Sequence, residues 1–406
     1  DDEWFETTSG SRRRVVRDDE VLETGGSKMR GTTDEQGRIM FEDMAGYEEI
    51  GAGELASLLG THDEPFVLDV REPHEVAAWA MPGALNIPLA ELSLRSTEVP
   101  RQRKVVTVCA AGNRSAVAAA MLAGAGWDVA NLSGGMAAWA GVYDAVRVER
   151  AAASIVQVRR RAKGCLSYLV GSGTKAFVFD PSLDVGIYED LAAEAGWTIT
   201  DVFDTHLHAD HLSGARQLAA DTGAVLHLNP ADPFDFSFEP LSDGDRFELP
   251  GGVEVSVAAI HTPGHTEGST LYFVGDQAVL TGDTLFVDGV GRPDLADRAE
   301  EFARNLHRSL HEKVLVLADD TVVLPAHYGD QMRVRPDTPV SATLQELRDG
   351  VHALSLPEQE FVSWAAARAT PRPPNYVEIV RANMGRSTLA DHQLAGLETG
   401  PNRCAA

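Results

Sequence analysis

The chain has 406 residues, enough for two or three domains that each bury a hydrophobic core. Its apolar share of 44% is ordinary for a globular protein, and it contains no apolar run of about 18 residues, so no membrane span is predicted. The formal net charge of −26 argues against nucleic-acid and anionic-membrane partners, because both carry dense negative charge.

Residues 1–40 are polar and show little periodicity, so we predict that this segment is disordered. The three cysteines, Cys109, Cys165 and Cys404, are odd in number and widely spaced, which predicts free thiols and no disulfide framework. The start of the sequence does not resemble a secretory leader. A reducing, cytoplasmic location is therefore expected.

Strand and helix patterns alternate between residues 41 and 145. Apolar runs at 66–70 and 105–108 predict buried strands, and the Ala-rich stretch 115–123 predicts a helix. This alternation predicts an α/β domain with a parallel sheet over residues 41–145. Residues 143–153 are predicted to be a charged, helical linker to the next domain.

The loop from Cys109 to Ser115 has the residues that sulfur chemistry needs. Cys109 ends a strand, and the loop runs into a helix, so backbone N–H groups would converge on the sulfur and favour the thiolate. Arg114 adds a positive charge, and Gly112 permits a tight backbone curl. A buried structural cysteine is the alternative interpretation.

The Cys109 loop, together with residues 69–75 (DVREPHE), 82–88 (PGALNIP) and 132–136 (LSGGM), resembles a rhodanese domain. The resemblance implies that Cys109 carries a sulfane sulfur as a persulfide. The four residues between Cys109 and Arg114 are one fewer than in the dual-specificity phosphatases of the same fold, which favours the sulfur-transferring version. Ala110 stands where many members have a basic residue, and this disfavours thiosulfate as the sulfur donor.

A dense cluster of metal-binding residue types occupies 205–211 (THLHADH), directly after the apolar pair 202–203. Residues two apart in an extended chain project to one side, so His206 and His208 can face one point. Further candidates follow other apolar strand patterns. Imidazole and carboxylate groups are the usual ligands of borderline divalent metals, so the full set predicts a metal site at strand ends: His206, His208, Asp210, His211, His265, Asp283 and His327. Cys165 lies in an apolar strand pattern and is predicted to be a core residue.

Residues 152–330 resemble the metallo-β-lactamase superfamily, which implies an αββα sandwich and whose ligand set falls on these seven residues. The predicted fold class is therefore α/β and α+β multidomain. Two branches share the signature, the glyoxalase II thioesterases and the persulfide dioxygenases. Residues 291–294 (GRPD) and 325–328 (PAHY) resemble the dioxygenases, although Val290 stands where both branches commonly carry Cys.

The dioxygenase resemblance implies one Fe(II) per metal domain, bound by His206, His265 and Asp283, with open positions for substrate and O₂. Arg292 is a candidate for the carboxylate of the substrate, or equally a structural ion-pair partner. Residues 331–406, with PPNY at 373–376, are predicted to pack on the metal domain. The remaining histidines and acid would orient these ligands or bind a second metal ion: His208, Asp210, His211 and His327.

These resemblances predict Fe(II)-dependent oxidation of a low-molecular-weight thiol persulfide by O₂ to sulfite and free thiol. Cys109 would exchange sulfane sulfur with a donor or acceptor, and a homodimer is expected by analogy. One alternative is a thioesterase with two Zn ions and a sulfur-binding rhodanese module. Another is a sulfur-carrier or sensor protein whose metal is structural.

Overall fold

The structure is a computed structural model, and it describes residues 21–24, 27–33, 39–42, 46–149, 153–249, 255–275, 277–293, 298–329, 332–368, 375–387, 389–390, 393 and 396–398. Three antiparallel strands come first: β1 (Val21–Thr24), β2 (Ser27–Thr33) and β3 (Ile39–Glu42). The prediction of disorder for residues 1–40 therefore does not fit the described strands. The other residues of this segment lie outside the described ones, and their disorder stays a prediction.

The next unit is a parallel sheet in the order β4-β8-β7-β5-β6. Its central strand consists of four buried residues, as expected for a strand covered on both faces. The strands are β4 (Glu48–Ile50), β5 (Phe66–Asp69), β6 (Leu85–Asn86), β7 (Val105–Val108) and β8 (Val129–Leu132). The helices are α1 (Ala52–Leu58), α2 (Pro73–Ala78), α3 (Leu92–Arg95), α4 (Asn113–Gly124) and α5 (Gly135–Trp139), and 3₁₀ turns occupy Leu89–Glu91 and Ser96–Glu98.

The second unit is built from two sheets, of seven and six strands, whose strands follow one another in chain order across each sheet. The first contains β9 (Tyr143–Val148), β10 (Ser154–Arg160), β11 (Cys165–Ser172), β12 (Lys175–Phe179), β13 (Thr198–Phe203), β14 (Val225–Leu228) and β15 (Glu239–Pro240). The second contains β16 (Arg246–Leu249), β17 (Val255–His261), β18 (Thr270–Val274), β19 (Ala278–Gly282), β20 (Val322–Pro325) and β21 (Ala342–Thr343).

The second unit also contains helices, most of which cover the outer faces of its sheets. They are α6 (Gly186–Ala195), α7 (Ala215–Thr222), α8 (Ala299–Ser309), α9 (Leu344–Gly350), α10 (Glu358–Ala367) and α11 (Tyr376–Asn383), with a π turn at Leu310–Val314 and a 3₁₀ turn at His352–Ser355. Among the described residues, none of the helices combines the length and apolar character needed to cross a membrane.

Hydrophobic cores hold the layers of the second unit together. Phe179, Phe203 and Tyr272 fill the space between the two sheets, and the rings of Phe179 and Phe203 stack with centroids 4.8 Å apart. Helices α6 and α7 pack on the outer face of the first sheet, and α8, α9 and α10 pack on the second. The predicted fold class, an α/β domain followed by an αββα sandwich, is confirmed.

The predicted linker is instead a strand. β9 pairs antiparallel with β10 and forms the edge of the seven-stranded sheet, so this segment is part of the sandwich. The two units also touch directly, because the Trp79 indole N–H donates to Ala162 O at 3.0 Å and Arg161 N donates to Val142 O at 3.0 Å. Sequence patterning missed β9 because this edge strand is half exposed and its two charged residues, Asp144 and Arg147, break the alternation of apolar and polar residues.

Arg159 of β10 joins β9 to residues 335–338 within the second unit, and its contribution to stability can be tested. Its guanidinium is fully buried, contacts Asp144 Oδ1 at 2.6 Å and donates to three main-chain carbonyls. We expect Arg159→Ala to lower the free energy of unfolding by about 3–5 kcal/mol, because it leaves buried acceptors unpaired. Arg95→Ala, which removes exposed ion pairs with Glu91 and Glu98, should cost far less, because solvent screens both pairs. Urea denaturation measures the free energy of unfolding, and equal losses in the two variants would contradict this role for Arg159.

Candidate metal centre and cysteine loop

Three buried side chains from separate segments converge at one edge of the sandwich. His265 Nε2 lies 3.4 Å from Asp283 Oδ2, and His206 Nε2 lies 3.7 Å from the same oxygen. None of these three atoms has a hydrogen-bond partner among the described residues, although all are buried. Buried polar atoms are almost always paired, so three unpaired donor atoms facing one point fit a bound cation.

Hydrogen bonds fix the orientation of these three ligands. Thr205 Oγ1 lies 2.8 Å from His206 Nδ1 and donates to Asp180 Oδ2 at 3.1 Å, so the imidazole donates from Nδ1. His265 Nδ1 donates to the main-chain oxygen of Arg292 at 3.0 Å. Both rings therefore present an unprotonated Nε2 to the centre, which is the form that binds metals.

The charge states also suit a cation. Burial lowers the pKa of His206 well below its ordinary value, helped by the neighbouring His208, and burial likewise lowers the pKa of His265. Burial opposes ionisation of Asp283, but the neighbouring His327 and His206 hold its pKa far below its usual range. Two neutral imidazoles and one carboxylate on one face form a donor set typical of mononuclear Fe(II) sites.

The remaining predicted ligands lie beside this triad in two groups. His208 Nε2 contacts Asp180 Oδ1 at 3.1 Å, and Asp204 completes that group. The second group contains four buried residues: Cys165, Asp210, His211 and His327. His327 also joins it to the triad, because its Nδ1 lies 2.5 Å from Asp283 Oδ1.

All seven residues predicted from the sequence therefore meet at one edge of the sandwich, but three neighbours were missed. Asp180 and Asp204 follow apolar strand patterns like the predicted ligands, and this signal could have indicated them. Cys165, which was predicted to be core, is buried as expected but faces ionisable groups. Burial opposes its ionisation, yet the positive charge of His211 lowers the pKa of the Cys165 thiol to about 6.

Arg292, the candidate substrate-binding residue, contributes through its main chain. Its carbonyl accepts the His265 hydrogen bond, and the residue is only 2% exposed. The acid of the GRPD segment, Asp294, lies outside the described residues. A role for the Arg292 guanidinium in binding substrate stays a prediction.

The C-terminal extension holds the histidine loop in place. The Asn383 side chain at the end of α11 donates to His208 O at 2.9 Å and to His211 O at 2.8 Å, and it accepts from Ser213 N at 3.0 Å. Glu398 accepts from Leu212 N at 2.7 Å. The described part of the extension therefore packs on the metal-binding loop, whereas residues 371–374 lie outside the described ones.

Cys109 occupies a second, separate site in the first domain. Its sulfur accepts from Gly112 N and from Ser115 Oγ, both at 3.2 Å. Gly112 has a φ of +94°, a left-handed conformation that favours glycine. Burial opposes ionisation of the thiol, but these donors bring the pKa of Cys109 below its ordinary value.

Arg114 makes a bidentate ion pair with Glu75, both contacts being 2.7 Å. Sequence reasoning did not single out Glu75 as a partner. This pair keeps the guanidinium in one orientation beside the loop and neutralises part of its charge. The contact to Arg114 also lowers the pKa of the Glu75 carboxyl to about 2.

Comparison with known proteins agrees with this architecture. The model of the metallo-β-lactamase superfamily matches residues 160–327, and that of the rhodanese-like domain matches residues 51–141. An uncharacterised protein of Mycobacterium leprae is 36% identical over 193 residues, which cover 40% of this chain and 86% of that protein.

Two further relatives carry a function in their names. The human mitochondrial persulfide dioxygenase ETHE1 is 30% identical over 225 residues, which cover 54% of this chain and 82% of the human protein. The crystal structure of ETHE1 from Myxococcus xanthus superposes with a TM-score of 0.50 at 28% identity, covering 56% of this chain and 96% of that one.

Asn383 gives a direct test of how the extension supports the metal loop. Asn383→Asp replaces a donor to two carbonyls by an oxygen that repels them, so we expect affinity for added Fe²⁺ to fall by about 10–100-fold. Chelator competition measures the effect. Asn86→Asp is the matched control, because the Asn86 amide also donates to two carbonyls, those of Asp69 and Arg71, but in the other domain. Equal losses in both variants would show a general effect on folding.

The Ser115 hydroxyl provides a pH-dependent test at the cysteine loop. Ser115→Ala removes a donor to the thiolate, so the pKa of Cys109 should rise and alkylation by iodoacetamide should require higher pH. Mass spectrometry of the Cys109 peptide across a pH series measures the midpoint. Ser57→Ala, which removes an exposed hydroxyl bonded to Glu54 O, should leave that midpoint in place. A midpoint that does not move in Ser115→Ala would refute this role.

Proposed function

This chain belongs to the family of the ETHE1 persulfide dioxygenases within the metallo-β-lactamase superfamily, joined to a rhodanese-like domain, and we propose that it oxidises a thiol persulfide with O₂. The reaction is RSSH + O₂ + H₂O → RSH + SO₃²⁻ + 2H⁺. The terminal sulfur is oxidised, the S–S bond breaks, and O₂ is reduced. The substrate class is a low-molecular-weight thiol persulfide in a reducing cytoplasm.

One observation carries the proposal: His206, His265 and Asp283 aim three unpaired donor atoms at one point in a buried site. Two imidazoles and one carboxylate would hold one Fe(II) on one face and leave its other positions open. That ion, when bound, supplies the activation of O₂ and a binding position for the persulfide sulfur.

The residues around the triad hold it in the required protonation state. The Arg292 carbonyl and the Thr205 hydroxyl each accept a hydrogen bond from the Nδ1–H of an imidazole, so both Nε2 atoms stay available. His327 stabilises the ionised Asp283 through its other carboxylate oxygen. Burial of all three ligands excludes bulk water, which would compete for open metal positions.

In the first domain, Cys109 would exchange sulfane sulfur with small molecules. Its thiolate attacks the outer sulfur of RSS⁻, giving Cys109–S–S⁻ and RS⁻. Sulfite then attacks the same sulfur, giving thiosulfate and restoring the thiolate. The low pKa of Cys109 suits both steps, because the thiolate is the nucleophile in the first and the leaving group in the second.

Iron content and O₂ consumption test the first activity. We expect the chain to take up iron at the triad and consume O₂ with glutathione persulfide, releasing sulfite. His265→Ala should lower O₂ consumption by at least about 100-fold, because it removes a ligand of the reacting centre. His261→Ala is the control, because His261 is a half-buried histidine at the end of β17 that lies outside the triad and contacts the Glu267 main-chain oxygen. Thioester hydrolysis without O₂ consumption would contradict the proposal and favour the zinc thioesterase.

Cys109→Ser separates the two activities. We expect this variant to lose transfer of sulfane sulfur to sulfite while it retains O₂ consumption, since Cys109 lies in the other domain and does not contact the triad. Thiosulfate formation and O₂ uptake are measured on the same preparation. Loss of both activities in a folded variant would contradict the division of labour between the domains.

A further inference from the structure

Two of the three triad ligands lie on separate loops of the metal domain. His206 belongs to a first ligand loop, residues 205–211, which follows β13. His265 belongs to a second ligand loop, residues 262–269, which joins β17 to β18. Strand pairing does not set the distance between these loops, because β13 and β17 belong to different sheets. Contacts outside the sheets must therefore fix the separation of the two histidines.

One buried carboxylate contacts both ligand loops. Asp232, in the segment after β14, is only 4% exposed. Its Oδ2 accepts hydrogen bonds from Leu207 N at 2.8 Å and from Thr266 Oγ1 at 3.0 Å. Leu207 follows His206 in the chain, and Thr266 follows His265. The carboxylate therefore binds the immediate neighbour of each histidine ligand.

Close packing keeps Asp232 in this position. Its Oδ1 accepts a further hydrogen bond from Gly268 N at 2.9 Å, and a Cβ atom on Gly268 would lie 2.6 Å from Asp232 Cγ. A larger residue at position 268 would therefore displace the carboxylate. On the other side, Asp232 N donates to Asn229 O at 3.2 Å, and Asn229 Nδ2 donates to Thr270 Oγ1 at 3.0 Å. The segment after β14 is thus bonded to the second ligand loop at both of its ends.

The charge of the carboxylate depends on these donors. Its hydrogen-bond partners in the described part of the chain are neutral, two main-chain N–H groups and one hydroxyl. Burial raises the pKa of Asp232, and the N–H groups of Leu207 and Gly268 oppose that rise. A buried carboxylate is costly unless its oxygens are hydrogen-bonded, so each donor is held firmly against it.

We propose that Asp232 is a positioning residue for the metal centre. Its carboxylate sets the separation of the two ligand loops, so that His206 and His265 present their Nε2 atoms to one ion. The third ligand, Asp283, is held separately, because His327 bonds its other carboxylate oxygen. Loss of the Asp232 carboxylate therefore alters the geometry of a centre whose three ligands are all still present. The inference rests on the metal binding of the proposed function and not on its oxygen chemistry.

Asp232→Asn in the full chain tests this role. The amide keeps the size of the side chain, but its nitrogen cannot accept a hydrogen bond. Whichever way the amide is turned, one main-chain N–H of a ligand loop loses its acceptor. We expect affinity for added Fe²⁺ to fall by about 10–100-fold, as measured by chelator competition without O₂.

A spectroscopic signal reports the geometry of the same centre. Nitric oxide is added to the iron-loaded chain without O₂, and the iron–nitrosyl complex is examined by electron paramagnetic resonance. The shape of this signal depends on how the ligands are arranged around the iron. We expect Asp232→Asn to change the shape, because its ligand loops are no longer held at the same separation.

Thr266 provides a matched pair of substitutions on the other side of the contact. Thr266→Val removes the hydroxyl that donates to Asp232 and nearly keeps the shape of the side chain. We expect Fe²⁺ affinity to fall by about tenfold and the nitrosyl signal to change. Thr266→Ser keeps the hydroxyl and should retain the affinity and the signal of the unsubstituted chain.

Asp245→Asn is the control for the change of carboxylate to amide. The Asp245 carboxylate accepts a hydrogen bond from Ser242 N at 2.7 Å, in a turn outside both ligand loops. This variant should leave both the Fe²⁺ affinity and the nitrosyl signal in place. Far-UV circular dichroism identifies folded variants, and the two Thr266 variants carry the test if Asp232→Asn does not fold.

Unchanged Fe²⁺ affinity and an unchanged nitrosyl signal in folded Asp232→Asn would overturn the positioning role. Equal losses in Thr266→Val and Thr266→Ser, or an equal loss in Asp245→Asn, would overturn it as well. The proposed function fails in a different way. An unsubstituted chain that binds iron but does not consume O₂ with glutathione persulfide would contradict that function alone.

Discussion

The structure depends on one electrostatic constraint, the burial of imidazoles and carboxylates at an edge of the sandwich without enough protein partners. Taking such groups out of water costs several kcal/mol each unless an opposite charge or hydrogen bond compensates. Here the carboxylates of Asp180, Asp210 and Asp283 compensate some of the histidines, while the Nε2 atoms of His206 and His265 have no hydrogen-bond partner in the part of the chain that the structure describes. A cation is the partner that completes this arrangement.

The layers of the fold keep that arrangement rigid. The ligands follow strands of both sheets, and the aromatic core between the sheets fixes the distance between those strands. Polar groups from elsewhere then hold the connecting loop. Asn383 binds two of its carbonyls and Lys163 a third, so the C-terminal extension and the domain junction both contact the histidine loop. The centre is therefore coupled to distant parts of the chain through short, buried contacts.

Local sequence patterns predicted those features of the site that a single strand and the loop after it determine. The seven predicted ligands and the Cys109 loop belong to this class, since an apolar run followed by polar groups can be identified without knowing its partner in the fold. Contacts between distant segments were not predictable in this way. Cys165 faces the site because it pairs with His327, β9 is a strand because it pairs with β10, and Asn383 reaches the loop from the end of α11. Each of these three contacts depends on strand register or on the packing of a distant helix.

The strand that replaced the expected linker also constrains how sulfur can pass between the domains. β9 belongs to the sheet of the metal domain, and the Trp79 indole donates a hydrogen bond to Ala162. The described connection between the domains is therefore not a flexible linker along which Cys109 could move to the triad. Under the proposed function, sulfane sulfur exchanged at Cys109 would therefore travel between the two sites on a small thiol. A diffusible carrier suits the proposed chemistry, since both sites act on the same thiol persulfide and the sulfite that would be released at the triad is the reactant that Cys109–S–S⁻ would consume.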